Sequence, residues 1–185
     1  MAHPKTERTL VLIKPDGVMR GLSGEITARF EKRGLKVIAL KMVRPTREHI
    51  TGHYPSHSAW FKSVGEKTSE FLRSKEIEVH SHFGTEDHEE IGKQVKGWLE
   101  EYITKSPVIA IVFEGMHAIS TVRKLVGHTF PIEAAPGTVR GDYSIDAPSA
   151  ANLEKRVVKN IIHASANEAE AHHEIEHWFS PEEIH

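Results

Sequence analysis

None of the 185 residues is cysteine, which excludes disulfides, zinc thiolates and thiol nucleophiles and is compatible with a reducing cytoplasm. No apolar run approaches the roughly 18 residues of a membrane span, and the opening "MAHPKTERTL" has no apolar stretch of leader length. A cytoplasmic protein without membrane partners is expected. Charge of either sign is scarce in excess: the net value of −2 gives no global attraction to polyanions, so nucleic acid is not expected as a main partner. Neither G-x-x-x-x-G-K-[ST] nor G-x-G-x-x-G occurs. A bound phosphate would therefore be held by side chains and not by a glycine-rich backbone cradle.

What is present is an ordinary globular composition, 38% hydrophobic and 27% charged, enough for one well-buried domain over residues 1–185. "RTLVLIKPDG" alternates as a strand and ends in a turn, which puts Lys14 at the strand exit. A helix with Ile26 and Phe30 and a strand "LKVIALKMV" follow, then two helices, one opened by Thr46 and one over 57 to about 73. Residues 62 to about 105 read as an excursion from the core, with helical spacing recovered at Ile91, Val95, Trp98, Leu99 and Tyr102. "SPVIAIVFEG" is a strand, "HAISTVRKLVG" a helix capped by Gly127, and about 128–156 a long loop of a length that is usually functional or disordered. The strand "VVKNIIH" and the helix "EAEAHHEIEHWF" close the chain. This order fits an α+β sandwich with helices packed on one sheet.

On the last helix Ala171, Ile175, Trp178 and Phe179 form one stripe, and His173 and His177 point the other way. The i, i+4 spacing of these two histidines is compatible with a metal ion, and with His172 they make a metal-binding alternative. No third ligand is evident, and the reading adopted is a solvated face. Glu174 borders the stripe and needs a partner. His163, at the end of the preceding strand, can supply it, and a histidine oriented by a carboxylate is a prepared nucleophile or base. Lys14, Arg123 and Arg140, each a surface charge if taken alone, are cations suited to phosphate.

Together "TLVLIKPDGVMRGLSGEI", "GHTFP", "PGTVRGDY" and "NIIHAS" followed by "EIEHWF" resemble the nucleoside diphosphate kinases over nearly the whole chain apart from about 62–105. The resemblance implies a ferredoxin-like α/β sandwich with a four-stranded antiparallel sheet, and an enzyme that passes the γ-phosphate of ATP or another nucleoside triphosphate to a nucleoside diphosphate. The alternative is a non-catalytic nucleotide-binding or scaffold member. His163 matches the histidine that is phosphorylated through Nδ1, and Glu174 the carboxylate that orients it. Lys14 and Asn160 match the residues at the ribose 3′-hydroxyl, with Lys14 also reaching the phosphates. Arg123, Thr129 and Arg140 match the phosphate-holding trio, Tyr54 a tyrosine packed near the histidine, and Ser165 the serine bonded around it. Trp60, in preference to Phe61, is the expected base-stacking aromatic, with Val126 on the base's other side. Mg²⁺ is expected with the nucleotide, held through its phosphates without protein ligands, and the assembly is expected to be a homo-oligomer, a hexamer before a tetramer or dimer.

One departure lies beside the nucleophile, where the family usually reads Gly or Ala, Ser, Asp, Ser and this chain reads Ala164, Ser165, Ala166, Asn167. A carboxylate lost there forgoes about 0.3–1 kcal/mol of helix-dipole stabilisation. There is also a tension in strand geometry. Asn160 and His163, three apart, face opposite sides of a regular strand, so Asn160 must precede the strand or the strand must bend.

Overall fold

A computed structural model describes residues 6–185, and by internal contacts these fall into two compact units. The first takes in residues 6–44, Ser106–Ile145 and Asn160–His185; the second, Pro45–Lys105 and Asp146–Lys159. Among the described residues no helix is long and apolar enough to cross a membrane.

The first unit is a four-stranded sheet of β1 (Thr6–Ile13), β2 (Lys36–Val43), β3 (Val108–Met116) and β4 (Ile162–Ala164), in the order β2-β3-β1-β4. Every neighbouring pair is antiparallel, which is the ferredoxin-like sandwich. Strands β1 and β3 are continuous apolar runs because both of their faces are covered. Val11, Ile13, Ile109, Ile111 and Phe113 on one face meet Ile26 and Phe30 of α2 (Ser23–Lys32) and Ala118, Val122 and Val126 of α7 (Ala118–Val126). Ile162 and Ala164 join that core. By the alternation of a strand, His163 between them lies on the sheet's other face, opposite Leu12 in register. The C-terminal helix α10 (Glu168–Trp178) packs beside β1. Its stripe is buried as expected: Ala171, Ile175, Trp178 and the following Phe179 are all core residues.

Three local expectations change. "PDGVM" is a helical turn, α1 (Pro15–Met19), opened by Pro15, where the sequence pattern predicts a bare turn. The region 128–156 is punctuated by a 3-10 turn at Pro131–Glu133 and by helices α8 (Val139–Tyr143) and α9 (Pro148–Leu153). The final strand is shorter than "VVKNIIH", because the Lys159 N–H bonds to Asp146 at 2.7 Å and Ile161 turns the chain at φ 68°.

The second unit is helical: α3 (Arg47–His53), α4 (Ser58–Ser74), α5 (Val79–Phe83) and α6 (His88–Thr104), with α9 beside α4. Thr46 caps α3 through the His49 N–H, as its position suggests. Leu72, Val79, Phe83 and Ile91 form a small core, closed by Trp98 stacked on Phe83 at 5.4 Å. The two long helices cross at reciprocal glycines. A Cβ at Gly65 would fall 1.8 Å from the His88 carbonyl oxygen, and one at Gly92 2.1 Å from that of Phe61. Backbone cannot yield as a side chain can, so Gly65→Ala should cost roughly 1–3 kcal/mol or more in urea unfolding. Gly97, also on α6, has nothing within 4 Å of such a Cβ. Gly97→Ala should raise stability by up to about 1 kcal/mol through helix propensity in the same assay.

Candidate active site

The site of the first unit grows from a kink just before β4. Ile161 adopts φ 68°, a costly conformation for a β-branched residue, and the Ile162 N–H closes a three-residue turn onto the Asn160 carbonyl at 2.7 Å. Three contacts hold it there. The Lys14 N–H donates to the Ile161 carbonyl at 2.7 Å, the Ile161 N–H donates to Asp16 Oδ2 at 3.1 Å, and Gly17 admits the Ile161 side chain. A Cβ at Gly17 would lie 3.1 Å from Ile161 Cγ2 and 2.9 Å from Ile13 Cγ2. The kink resolves the strand-parity tension, since Asn160 lies outside β4 and His163 within it.

Around this turn the polar groups are bonded in sequence. Lys14 Nζ, on a residue 6% exposed, donates to Asn160 Oδ1 at 2.6 Å, and Asn160 Nδ2 donates to the Thr129 carbonyl at 2.9 Å. Arg140 is buried and spends its guanidinium on the Gly127 carbonyl (3.0 Å) and the Ile162 carbonyl (2.8 Å). Its buried Nε–H has no partner among the described residues. Helix α8, which carries Arg140, is fastened by the Thr138 cap on Gly141 N (3.1 Å) and by Asp142, which accepts from Gly137 N (2.8 Å) and Arg29 (2.6 Å). Arg29 also donates to the Tyr143 hydroxyl at 2.7 Å. Arg123 and Thr129 are exposed, in the last turn of α7 and just beyond it.

His163 meets Glu174 directly: Nε2 and Oε1 are 2.6 Å apart, and Ser165 Oγ donates to Oε2 at 2.6 Å. Glu174 is 2% exposed, so both of its oxygens are satisfied in a dry setting. An ionised carboxylate only accepts, which puts the imidazole proton on Nε2 and leaves Nδ1 with its lone pair. Burial first, then Lys14, with Arg140 and Arg123 behind it and Glu170 opposing, pushes the His163 pKa below its ordinary range and keeps the ring neutral. Lys14 is pushed down to about 7, by burial and then by Arg140, against the pull of Asp16. Arg140 is lowered to about 10 by burial and then Arg123.

The sequence "ASAN" also finds its structural account here. Asn167 caps α10 by accepting from Glu170 N at 2.9 Å, and the Glu170 carboxylate accepts from Ala166 N at 2.9 Å. A carboxylate is thus present at the helix start although position 166 has none.

Lys14, Arg140, Asn160, His163, Ser165 and Glu174 are therefore brought together in one unit, with Arg123 and Thr129 at its surface. Val126 is 1% exposed within the core and so has no free surface to offer a base. Tyr54 and Trp60 belong to the helical unit, Tyr54 as the C-cap of α3 and Trp60 in the first turn of α4, both half-buried. The sequence reading missed Asp16 and Arg29. Asp16 could have been sought as an acid in a turn beside a lysine at a strand exit, whereas nothing local in the sequence distinguishes Arg29 from other helix arginines.

The sequence model of the nucleoside diphosphate kinase family matches residues 7–79 and 67–184. A nucleoside diphosphate kinase of Pyrobaculum aerophilum is 48% identical over 96% of this chain and 97% of its own. One from Pyrococcus furiosus is 41% identical over 97% and 87%. Among solved structures, an NDP kinase from Pyrobaculum aerophilum superposes with a TM-score of 0.95 at 46% identity, covering 97% of this chain and 99% of that one. A transition-state mimic of the Borrelia burgdorferi enzyme with bound vanadate and ADP gives 0.77 at 36%, covering 97% and 90%. The chain belongs to the nucleoside diphosphate kinase family, and it is a phosphotransferase that acts on nucleotides.

A lysine poised near 7 takes up a proton when an anion binds beside it. At about pH 8.5, where ADP is fully ionised and Lys14 largely neutral, ADP binding should draw in about one proton. Calorimetry in buffers of different ionisation enthalpy reads this directly, and Lys14→Gln should abolish most of the uptake.

Proposed function

We propose that this enzyme moves the γ-phosphate of a nucleoside triphosphate to a nucleoside diphosphate in two matched half-reactions through a phosphohistidine at His163. The observation that carries the reading is the pairing of Nε2 with a buried carboxylate at 2.6 Å, which leaves Nδ1 as a neutral, oriented nucleophile. In the first half-reaction the Nδ1–P bond forms as the bond from Pγ to the bridging oxygen breaks, and the diphosphate leaves. In the second, a terminal oxygen of another diphosphate attacks the same phosphorus and His163 is returned. Glu174 stabilises the ring as its nitrogens become substituted and charged, and Ser165 holds Glu174 in place.

Arg123, Arg140 and Thr129 face the charge spread over the equatorial phosphate oxygens, and the unspent Nε–H of Arg140 fits an oxygen acceptor. Lys14 and Asn160, already joined at 2.6 Å, are placed to share the ribose 3′-hydroxyl as well as the phosphates. Tyr54 and Trp60 are assigned to the nucleotide on the strength of the resemblance, Trp60 by stacking on the base, which favours any base through its π-face. The donor set fits Mg²⁺ carried in on the phosphates, because Glu174 has spent both carboxylate oxygens within the protein. Bound there, the ion would neutralise charge between neighbouring phosphates. The reading treats the chain as one catalytic domain, working in the cytoplasm as a homo-oligomer with a hexamer favoured. It is supported by a relative captured with ADP and vanadate.

The test is incubation with γ-labelled ATP. A phosphoprotein that is acid-labile and base-stable should form, chase onto added diphosphate, and vanish in His163→Asn with a fall in turnover of at least about 10³-fold. Equal labelling of His163→Asn, or nucleotide binding with no label in the parent, overturns the reading.

A further inference from the structure

The helical unit contains a buried charge pair for which the phosphate chemistry has no use. Lys96 and Glu100, one turn apart on α6, are 6% and 7% exposed, with Nζ 3.8 Å from Oε1. Glu100 accepts from the Thr51 hydroxyl and from Arg47 Nε, each at 3.1 Å, and so is bound to α3. The Lys96 ammonium donates to the Thr51 carbonyl (3.3 Å), the Tyr54 carbonyl (3.4 Å) and the Ser56 hydroxyl. It stands at the C-terminal end of α3, where open carbonyls favour a cation. Its three partners all lie in "TGHYPS", the last residues of α3 and the link from it into α4, and the Phe61 ring lies 5.9 Å from it.

Stability alone is a weak reason for such burial, since apolar residues often replace a buried ion pair without loss. What an apolar residue cannot do is bind three oxygens across a helix end and the link that follows it. Pro55 lacks an N–H, so this turn cannot close through its own backbone at that position. We propose that Lys96 is a positioning residue that locks the turn from Thr51 to Ser56 and thereby sets Tyr54 and the first turn of α4, with Trp60, in the geometry that receives the nucleotide. The proposal rests on the nucleotide role assigned above to Tyr54 and Trp60. Lys96 has no part in the chemical step, so its loss should weaken nucleotide binding while sparing the reactivity of His163.

The experiment uses the full-length enzyme and two phosphoryl donors, ATP with an acceptor diphosphate and phosphoramidate, which phosphorylates histidine without a base or ribose. Lys96→Met should raise KM for the diphosphate about tenfold with kcat within about twofold. Phosphoramidate labelling of His163 should be unchanged, and Lys96→Arg, which keeps the donors, should recover most of the affinity. An unchanged KM in folded Lys96→Met overturns the proposal, as does a parallel fall in KM-independent turnover and phosphoramidate labelling, the mark of general disruption. Should Lys96→Met fail to fold, Ser56→Ala decides: a KM raised about threefold supports the lock, and an unchanged KM overturns it. Trp60→Ala tests the underlying assignment separately. If it leaves KM unchanged, the nucleotide role of the segment falls and the proposal with it, whereas an effect at Trp60 and none at Lys96 removes the lock alone.

Discussion

The reversal of the backbone at Ile161 is the constraint from which the rest of the site follows. A β-branched residue at φ 68° is held only because Asp16, the Lys14 N–H and the space left by Gly17 all act on it. Without the reversal, Asn160 would be an ordinary strand residue and its side chain could not join Lys14. With it, one short segment contributes an amide to the lysine, a carbonyl to Arg140 and, from the next strand position outward, the imidazole. The strain is located beside the cluster proposed to carry the chemistry, and the sheet core beneath it supplies the stability that tolerates it.

The electrostatics follow from the same crowding. Beyond the effect of burial, Arg140 lowers the proton affinity of Lys14 and Arg123 lowers that of Arg140, so positive charge is crowded there. In the proposed reaction a polyphosphate would relieve that repulsion, and binding energy would be released where charge must be neutralised during transfer. The same field keeps His163 neutral, as the proposed nucleophile requires, and in the proposed reaction Glu174 would balance the charge that a phosphorylated ring acquires. Departures from the family pattern after the histidine are absorbed locally, with Glu170 closing the helix start that Ala166 leaves without an acid.

Much of this was legible from residues alone. The strands β1 and β3 announced themselves as apolar runs, Thr46 and Asn167 as caps, and Glu174 as a carboxylate at the edge of an apolar stripe. The kink is legible as a conflict between a two-residue period and two candidate site side chains, Asn160 and His163, three apart, although its form is not. What could not be read were the contacts that cross long stretches of chain. Asp16 reaches Ile161, Arg29 reaches Asp142, and Lys96 reaches back to Thr51, in each case with no local pattern to mark the pair. Val126 has helical spacing that suits a core position as well as a binding one, and burial decided for the core. Gly65 and Gly92 look like weak points in helices until each is seen against the backbone of the other helix.

The sequence by itself determined the class of fold, the succession of elements and the family, because periodicity, capping and motif order are properties of neighbouring residues. The tertiary structure decided which nitrogen of His163 is engaged, which oxygens of Glu174 are spent, how far Lys14 is stripped of water, and which of the many charged residues act on the same few atoms. Those are properties of distance and burial, and they exist only once segments far apart in the chain have been brought together out of water.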